Sequence, residues 1–188
     1  MKKGIIIILL ASLFHLTGMA QERFGKTLNM GLGIAGYSGY YKYAQQSIPV
    51  FHIDYEFDVA SDFTLAPFLN FYMYSTDYYG GNPNNPDKYY AYRETVIPIG
   101  VKGTYYFDRL LQATSKWDFY LGASLGFAIV NSRWDGDYSG DKNYYHNGSS
   151  LFLDIHIGSE YHFTKKLGAF LDLSSGVSTI GLSIHTTK

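Results

Sequence analysis

The segment Val50–Asp58, with the sequence VFHIDYEFD, separates apolar from ionisable side chains at every step. Successive side chains of a strand point to opposite faces, so an extended chain here has two contrasting faces. One face holds Phe51, Ile53, Tyr55 and Phe57, and the other holds His52, Asp54, Glu56 and Asp58. In a soluble sheet the apolar face is buried and the acids meet water. In a membrane barrel the apolar face meets lipid and the acids line the interior.

The N-terminus predicts export. Residues 1–20 combine basic Lys2 and Lys3, an apolar run from Ile5 to Leu16, and small residues before position 21. This is the pattern of a secretory signal peptide, with cleavage expected after Ala20. Residues 21–188 are then expected to form a single domain of 168 residues.

The composition excludes several classes of protein. Removing Lys2 and Lys3 leaves 13 of the 15 basic residues against 16 acidic ones, so no nucleic-acid partner is expected. The chain has no cysteine, which excludes a disulfide framework and a lipoprotein anchor. It is rich in aromatic residues and glycine, with 19 Tyr, 13 Phe and 20 Gly. Such a composition favours strands, and no apolar run after residue 20 is long enough for a transmembrane helix.

Eight segments alternate with a period of two residues and are predicted to be strands. They cover approximately 27–37, 50–58, 63–74, 94–107, 117–130, 151–163, 167–174 and 179–185. The apolar faces carry no Asp, Glu, Lys or Arg. The opposite faces of the first and fifth strands carry small residues and tyrosines, which suit a narrow packed lumen better than a solvated exterior. We therefore predict an all-β fold, an eight-stranded antiparallel up-and-down transmembrane β-barrel with its apolar face outward.

The connections alternate in length as such a barrel requires. Turns at 59–62 and 164–166 are short and residues 108–116 form a modest one, whereas residues 75–93 and 131–150 form longer connections rich in Tyr and Asn. Aromatic residues cluster beside the short turns, as in the girdle of a barrel at the membrane interface. They are Tyr55, Phe57, Phe63, Tyr105, Phe107, Trp117, Tyr161 and Phe163.

The chain resembles the small bacterial outer-membrane β-barrel family, the porin-like, OmpA-type group of eight-stranded barrels. The segments that carry the resemblance are VIPIGVKGTYYF (residues 96–107), FYLGASLGFAIV (119–130) and LGAFLDLSSGVSTIGLSI (167–184). The resemblance implies a monomer in the bacterial outer membrane. It also implies insertion by the barrel assembly machinery, contact with outer-membrane lipid and lipopolysaccharide, no cofactor and no enzymatic site.

The inward faces carry far more acids than bases. The acids are Asp54, Glu56, Asp58, Glu94, Asp118, Asp154, Glu160 and Asp172, and the inward base is Lys102. Because buried charges need partners, we expect a lumen network in which Lys102 pairs with one or more of Asp54, Glu56 and Asp172. The alternative is that tyrosine hydroxyls, such as those of Tyr72, Tyr106 and Tyr120, and water satisfy the acids. Surplus acids are expected to be held by histidines, cations or protonation.

Tyrosines in the long connections are candidates for binding an external ligand, because tyrosine combines an apolar face with a polar tip. The candidate residues are Tyr78, Tyr79, Tyr89, Tyr90, Tyr144 and Tyr145. The alternative is that they cap the barrel rim. Two further patterns in the last long connection are weak. The segment 135–146 has Glu replaced by His146 at the last ligand position of a calcium loop, and His146 with Ser149 has no evident orienting group for catalysis.

The expected function is a structural or surface-interaction role without catalysis. One alternative is a barrel enzyme that modifies lipid A, because some barrels that act on that lipid use a His and a Ser near the outer rim. The other alternative is a small cation-preferring pore of low conductance. The pore is disfavoured because eight strands leave an interior just wide enough for side chains.

Overall fold

The computed structural model describes residues 26–35, 45–79, 89–111, 116–134 and 148–187, which form a closed antiparallel barrel. Eight strands follow one another in chain order around the barrel. They are β1 (Lys26–Ala35), β2 (Gln45–Ala60), β3 (Phe63–Tyr79), β4 (Tyr89–Tyr106), β5 (Trp117–Trp134), β6 (Gly148–His162), β7 (Leu167–Ser174) and β8 (Val177–Thr187). Pairing of β1 with β8, from Lys26↔Thr187 to Ala35↔Val177, closes the sheet. The predicted fold is confirmed, whereas the predicted signal peptide lies outside the described residues.

The exterior of the barrel is a belt of exposed apolar side chains. On β6, for example, Leu151, Leu153, Ile155 and Ile157 are exposed by 55–71%, while Asp154 between them is buried. The same alternation runs along β5, from Leu121 to Ile129. Burial therefore follows the predicted faces, with the apolar face outward. A continuous apolar exterior of this kind is what a barrel presents to lipid.

Two ends of the barrel can be distinguished by their connections. The short-turn end carries Ser61 and Asp62, the short helix α1 (Asp108–Leu111) and residues 163–166. Asp62 has φ of 56°, a left-handed conformation that Asp tolerates better than most residues. The long-loop end carries the connections 80–88 and 135–147.

The aromatic side chains at the short-turn end pack together. The Trp117 ring lies 4.9 Å from that of Tyr161, and the Tyr161 ring lies 5.5 Å from that of Phe163. Phe119 stacks on Trp117 at 5.9 Å. These contacts join neighbouring strands β5 and β6 where a membrane interface is expected.

The strands at the long-loop end are longer than predicted. The predicted loop 75–93 begins and ends inside strands, since β3 runs to Tyr79 and β4 begins at Tyr89. The predicted loop 131–150 is shortened in the same way, because β5 runs to Trp134 and β6 begins at Gly148. The prediction used apolar alternation, which ends several residues before the backbone pairing of these strands does.

The composition of the lumen changes along its length. Nearer the long-loop end it contains a small apolar core, which the predicted polar lumen did not include. Its buried members are Val50, Tyr72, Tyr74, Val96, Ala128 and Val177. Most of the buried charged groups lie nearer the short-turn end. Glu94 is an exception: it is buried beside the apolar core, where the Tyr92 hydroxyl donates to its Oε1 at 2.8 Å. Among the described residues, no helix is long and apolar enough to cross a membrane.

Candidate functional site in the barrel lumen

Lys102 on β4 is the centre of the buried polar half of the lumen. Its Nζ atom lies 3.3 Å from Oδ2 of Asp54 on β2 and 3.3 Å from Oδ2 of Asp172 on β7. The ammonium group also lies 5.5 Å from the centre of the Tyr120 ring. Both carboxylates and the lysine are almost completely buried. One cation therefore holds two acids from opposite sides of the lumen, where desolvated charges need direct partners.

Glu56, the third acid predicted near Lys102, has a different set of partners. The hydroxyl of Tyr106 donates to Glu56 Oε1 at 2.7 Å, and the hydroxyl of Thr64 donates to the same oxygen. Asn29 Nδ2 lies 3.4 Å from Glu56 Oε2. The structure thus brings together Lys102, Asp54 and Asp172, and places Glu56 beside them with hydroxyl and amide donors.

Histidines extend the network around Asp54 and Asp172. His52 Nε2 lies 3.0 Å from Asp54 Oδ2, and His156 Nδ1 lies 2.8 Å from Asp172 Oδ1. The second nitrogen of His156 lies 2.8 Å from Ser124 Oγ. If His156 carries its proton on Nδ1, it donates to Asp172 and accepts from Ser124 as a neutral ring. Each carboxylate therefore has one lysine and one histidine contact.

Neutral donors complete the shell around the same two carboxylates. Asn29 Nδ2 donates to Asp54 Oδ1 at 2.8 Å, and the Tyr120 hydroxyl donates to Asp172 Oδ2 at 3.1 Å. Tyrosine hydroxyls thus act beside Lys102 rather than instead of it. The two accounts that the sequence left open, a lysine pair and local tyrosine donors, apply together at Asp172.

The network draws on nearly every strand of the barrel. Its members are Asn29 (β1), His52 and Asp54 (β2), Asn70 (β3), Lys102 (β4), Tyr120 and Ser124 (β5), His156 (β6) and Asp172 (β7). Sequence reasoning missed the roles of Asn29, Asn70 and Ser124. All three occupy inward positions of their strands, so face alternation could have located them, but it could not have named their partners.

Two glycines in the barrel wall leave room for large side chains in the lumen. A Cβ atom on Gly158 of β6 would lie 2.6 Å or less from three atoms of the Tyr120 side chain. A Cβ atom on Gly181 of β8 would lie 2.7 Å from Cε1 of Phe170. Tyr120 and Phe170 therefore fill space across the lumen that a bulkier wall residue would occupy. Side chains therefore pack closely against the wall at these two glycines.

The tyrosines predicted to bind an external ligand fall partly outside the described residues. Tyr144 and Tyr145 lie in the connection 135–147, which is not described. Tyr78 and Tyr79 end β3, and their backbones pair with those of Tyr90 and Tyr89 on β4. Four of the six predicted residues are thus brought together at the end of one hairpin. The weak calcium and Ser–His patterns also lie in or at the edge of the undescribed connection.

Comparisons with known proteins give structural likeness without sequence likeness. No protein-family model matches the chain, and no curated protein matches it significantly. Neisserial surface protein A (NspA) superposes with a TM-score of 0.49 at 17% identity, over 87% of this chain and 99% of the other. Ail of Yersinia pestis gives 0.49 at 7% identity, over 85% and 96%.

The N-terminal β-barrel domain of Pseudomonas aeruginosa OprF gives a TM-score of 0.46 at 13% identity, over 87% of this chain and 97% of that domain. The structures named here are small bacterial surface or outer-membrane barrels. Eight paired strands and the closure of β1 on β8 define the fold of this chain.

Proposed function

We propose that this protein is a non-catalytic integral barrel of the bacterial outer membrane, closed by its own side chains, with a structural or surface-interaction role. The observation that carries the proposal is the contrast between its two faces. The exterior is an apolar belt of residues such as Leu125 and Ile155, and the interior is occupied by the network around Lys102. The apolar belt suits contact with lipid. The side chains that occupy the interior leave little room for a wide aqueous channel.

The proposed orientation places both termini and the short-turn end in the periplasm and the long-loop end outside the cell. Short periplasmic turns and longer external loops are the usual arrangement of bacterial barrels. The paired tyrosines of the β3–β4 hairpin, Tyr78, Tyr79, Tyr89 and Tyr90, are then carried away from the membrane by the extended strands. We assign contact with an external ligand, or with lipopolysaccharide sugars, to this region and to Tyr144 and Tyr145.

Cysteine labelling tests this orientation directly, because the chain has no cysteine of its own. Tyr79→Cys is expected to react with a membrane-impermeant maleimide on intact cells. The matched variant Ser61→Cys, in the turn between β2 and β3, is expected to react only after the outer membrane is permeabilised. Labelling of Ser61→Cys on intact cells would contradict the orientation.

Two measurements test the functional class. In planar bilayers the purified barrel is expected to show no steady conductance above the bare membrane, whereas regular ion-conducting steps would favour the pore. Mass spectra of lipid A from cells with and without the protein are expected to be identical. A mass difference that depends on the protein would replace the non-catalytic role with the lipid-modifying one.

A further inference from the structure

A second cluster of ionisable side chains lies in the lumen, apart from the Lys102 network. Glu160 and His162 on β6 and His185 on β8 are all buried, each being less than 9% exposed. Glu160 Oε1 lies 2.7 Å from His185 Nε2 and 3.6 Å from His162 Nδ1. One ligand atom from each of the three residues falls within 4.8 Å of the others. A carboxylate oxygen and two imidazole nitrogens therefore converge on one point.

The sheet brings these three residues together across an intervening strand. β7 lies between β6 and β8, and Gly168 of β7 pairs with His162 on one side and with Ser183 on the other. A Cβ atom on Gly168 would lie 2.9 Å from Cδ of Glu160 and closer still to its Oε1. The missing side chain at Gly168 thus leaves the space in which Glu160 reaches over β7 to His185.

Each histidine is oriented by a partner outside the cluster. Asp118 Oδ2 lies 2.7 Å from His162 Nε2, and Thr27 Oγ1 lies 2.9 Å from His185 Nδ1. Such outer partners fix the tautomer and ring orientation of metal-binding histidines. With Nε2–H donating to Asp118, a neutral His162 directs the lone pair of Nδ1 toward the Glu160 carboxylate. Two electron-rich atoms that face each other in this way favour a cation between them.

We propose that Glu160, His162 and His185 form a binding site for a divalent transition-metal ion of the zinc class. Two imidazoles and one carboxylate suit Zn²⁺, whereas Ca²⁺ and Mg²⁺ prefer oxygen ligands alone. Tetrahedral Zn²⁺ with bonds of about 2.0–2.2 Å separates its ligand atoms by roughly 3.3–3.6 Å. The 3.6 Å distance between Glu160 Oε1 and His162 Nδ1 already has this spacing. The 2.7 Å contact between Glu160 Oε1 and His185 Nε2 has to widen. His185 then carries its proton on Nδ1, and this N–H donates a hydrogen bond to Thr27 Oγ1.

The position of the site indicates that a bound ion would link strands of the barrel. A metal held here joins β6 to β8 across β7, next to the seam where β8 pairs with β1. Three protein ligands leave a fourth position for water. Asp118 is more exposed than the three ligands and lies at the start of β5, near the short-turn end, so an ion would reach the site from that end.

The test uses tag-free protein, residues 21–188, folded in detergent micelles and treated with a chelator. Titration with ZnCl₂, followed by calorimetry and metal analysis, is expected to give one Zn²⁺ per chain. The double variant His162→Gln/His185→Gln is expected to lose more than about 100-fold in affinity, exceeding the roughly 10–100-fold that loss of an outer partner costs. The control His52→Gln removes a lumen histidine outside the cluster and is expected to bind Zn²⁺ normally.

Asp118→Asn separates this site from adventitious binding. It leaves the three ligands in place and is expected to weaken Zn²⁺ by about 10–100-fold. Should the double variant fail to fold, X-ray absorption of the wild-type zinc complex is expected to show two imidazoles in the first coordination sphere. No stoichiometric binding by the wild type, unchanged affinity in a folded double variant, or a sphere without imidazole would each overturn the proposal.

Discussion

Lys102 Nζ and Asp172 Oδ2 lie 3.3 Å apart across the lumen, although 70 residues separate them along the chain. The same nitrogen lies 3.3 Å from Asp54 Oδ2, so a single ammonium group links β2, β4 and β7. This link crosses the barrel interior, whereas backbone pairing runs around its wall. The lumen charges therefore hold together strands that the ladder does not join directly.

Replacing Lys102 with methionine should destabilise the barrel strongly. Lys102→Met keeps the length of the side chain but leaves Asp54 and Asp172 buried without their shared cation. Removing one partner of a buried ion pair costs about 3–5 kcal/mol, because an uncompensated charge remains. The free energy of unfolding in phospholipid vesicles, measured by tryptophan fluorescence during a urea titration, checks this value.

A double variant distinguishes the charge effect from lost packing. Lys102→Met/Asp172→Asn removes one of the uncompensated acids and should recover part of the loss, so the two substitutions should be non-additive. Lys26→Met, at an exposed position where β1 begins, serves as the control for loss of a lysine and should change stability by less than about 0.5 kcal/mol. Equal stabilities of Lys102→Met and the wild type would mean that the pair contributes nothing.

The second prediction concerns the wall glycine beneath Tyr120. Gly158→Ala places a methyl group against the Tyr120 ring and should displace the hydroxyl that donates to Asp172. Overpacking of this kind costs about 1–3 kcal/mol. Gly103→Ala is the matched control, since its Cβ would meet Phe63 Cζ at 3.1 Å, in a side chain that can move toward lipid. Equal unfolding midpoints for the two variants would argue against a tightly packed lumen.

The fold was predictable from the sequence because face alternation is a local property. In VFHIDYEFD, burial from Phe51 to Glu56 alternates as a period of two predicts, with Phe51, Ile53 and Tyr55 exposed. The same rule placed Lys102, Asp54 and Asp172 on inward faces, where buried charges need partners. Contact among these three side chains was therefore a reasonable expectation.

Partner choice and strand ends were less predictable. The preference of Glu56 for Thr64 and Tyr106 depends on the stagger between strands, which alternation does not contain. The apolar core nearer the long-loop end was not predicted, because Val50 and Val96 lie on inward faces whose other members are polar. The candidate metal site depends on Gly168, which lies on the strand between the ligands and has no side chain to block Glu160. To predict such contacts, the relative register of three strands has to be known at the same time.

The third prediction is that tolerance of charge on the exterior depends on depth. Ile157 lies five residues from the short-turn end of β6, or about 12 Å along the membrane normal for a tilted strand, close to the middle of an apolar band of about 25 Å. Ile157→Arg should therefore cost about 2–4 kcal/mol in vesicles. Phe163→Arg, equally exposed at 55% but located in the aromatic girdle, should cost about 0–1 kcal/mol. Equal costs at the two positions would contradict the proposed membrane position.

The last prediction concerns Asp154, whose carboxylate holds the turn between β7 and β8. It accepts hydrogen bonds from the hydroxyls of Ser174 and Ser175, both at 2.8 Å. It also accepts from the backbone amides of Gly176 and Val177, at 2.7 and 2.9 Å. Because β7 is short, with eight residues, this turn lies beside the middle of β6, where Asp154 takes the place of strand pairing.

Asp154→Asn should loosen this turn before the rest of the barrel opens. The amide keeps one acceptor oxygen but turns an NH₂ group toward the donors, and hydrogen bonds to a charged group contribute about 1.5–3 kcal/mol each. Amide exchange at Gly176 and Val177 should accelerate by at least about tenfold, equivalent to about 1.4 kcal/mol. The amide of Leu182, which pairs with Met30 and Ala169 in the middle of β8, should change less. Asp118→Asn, which removes the same charge at the short-turn end, should leave Gly176 and Val177 protected. Uniform acceleration at all three amides in Asp154→Asn would instead indicate that the whole barrel, and not the turn, depends on this carboxylate.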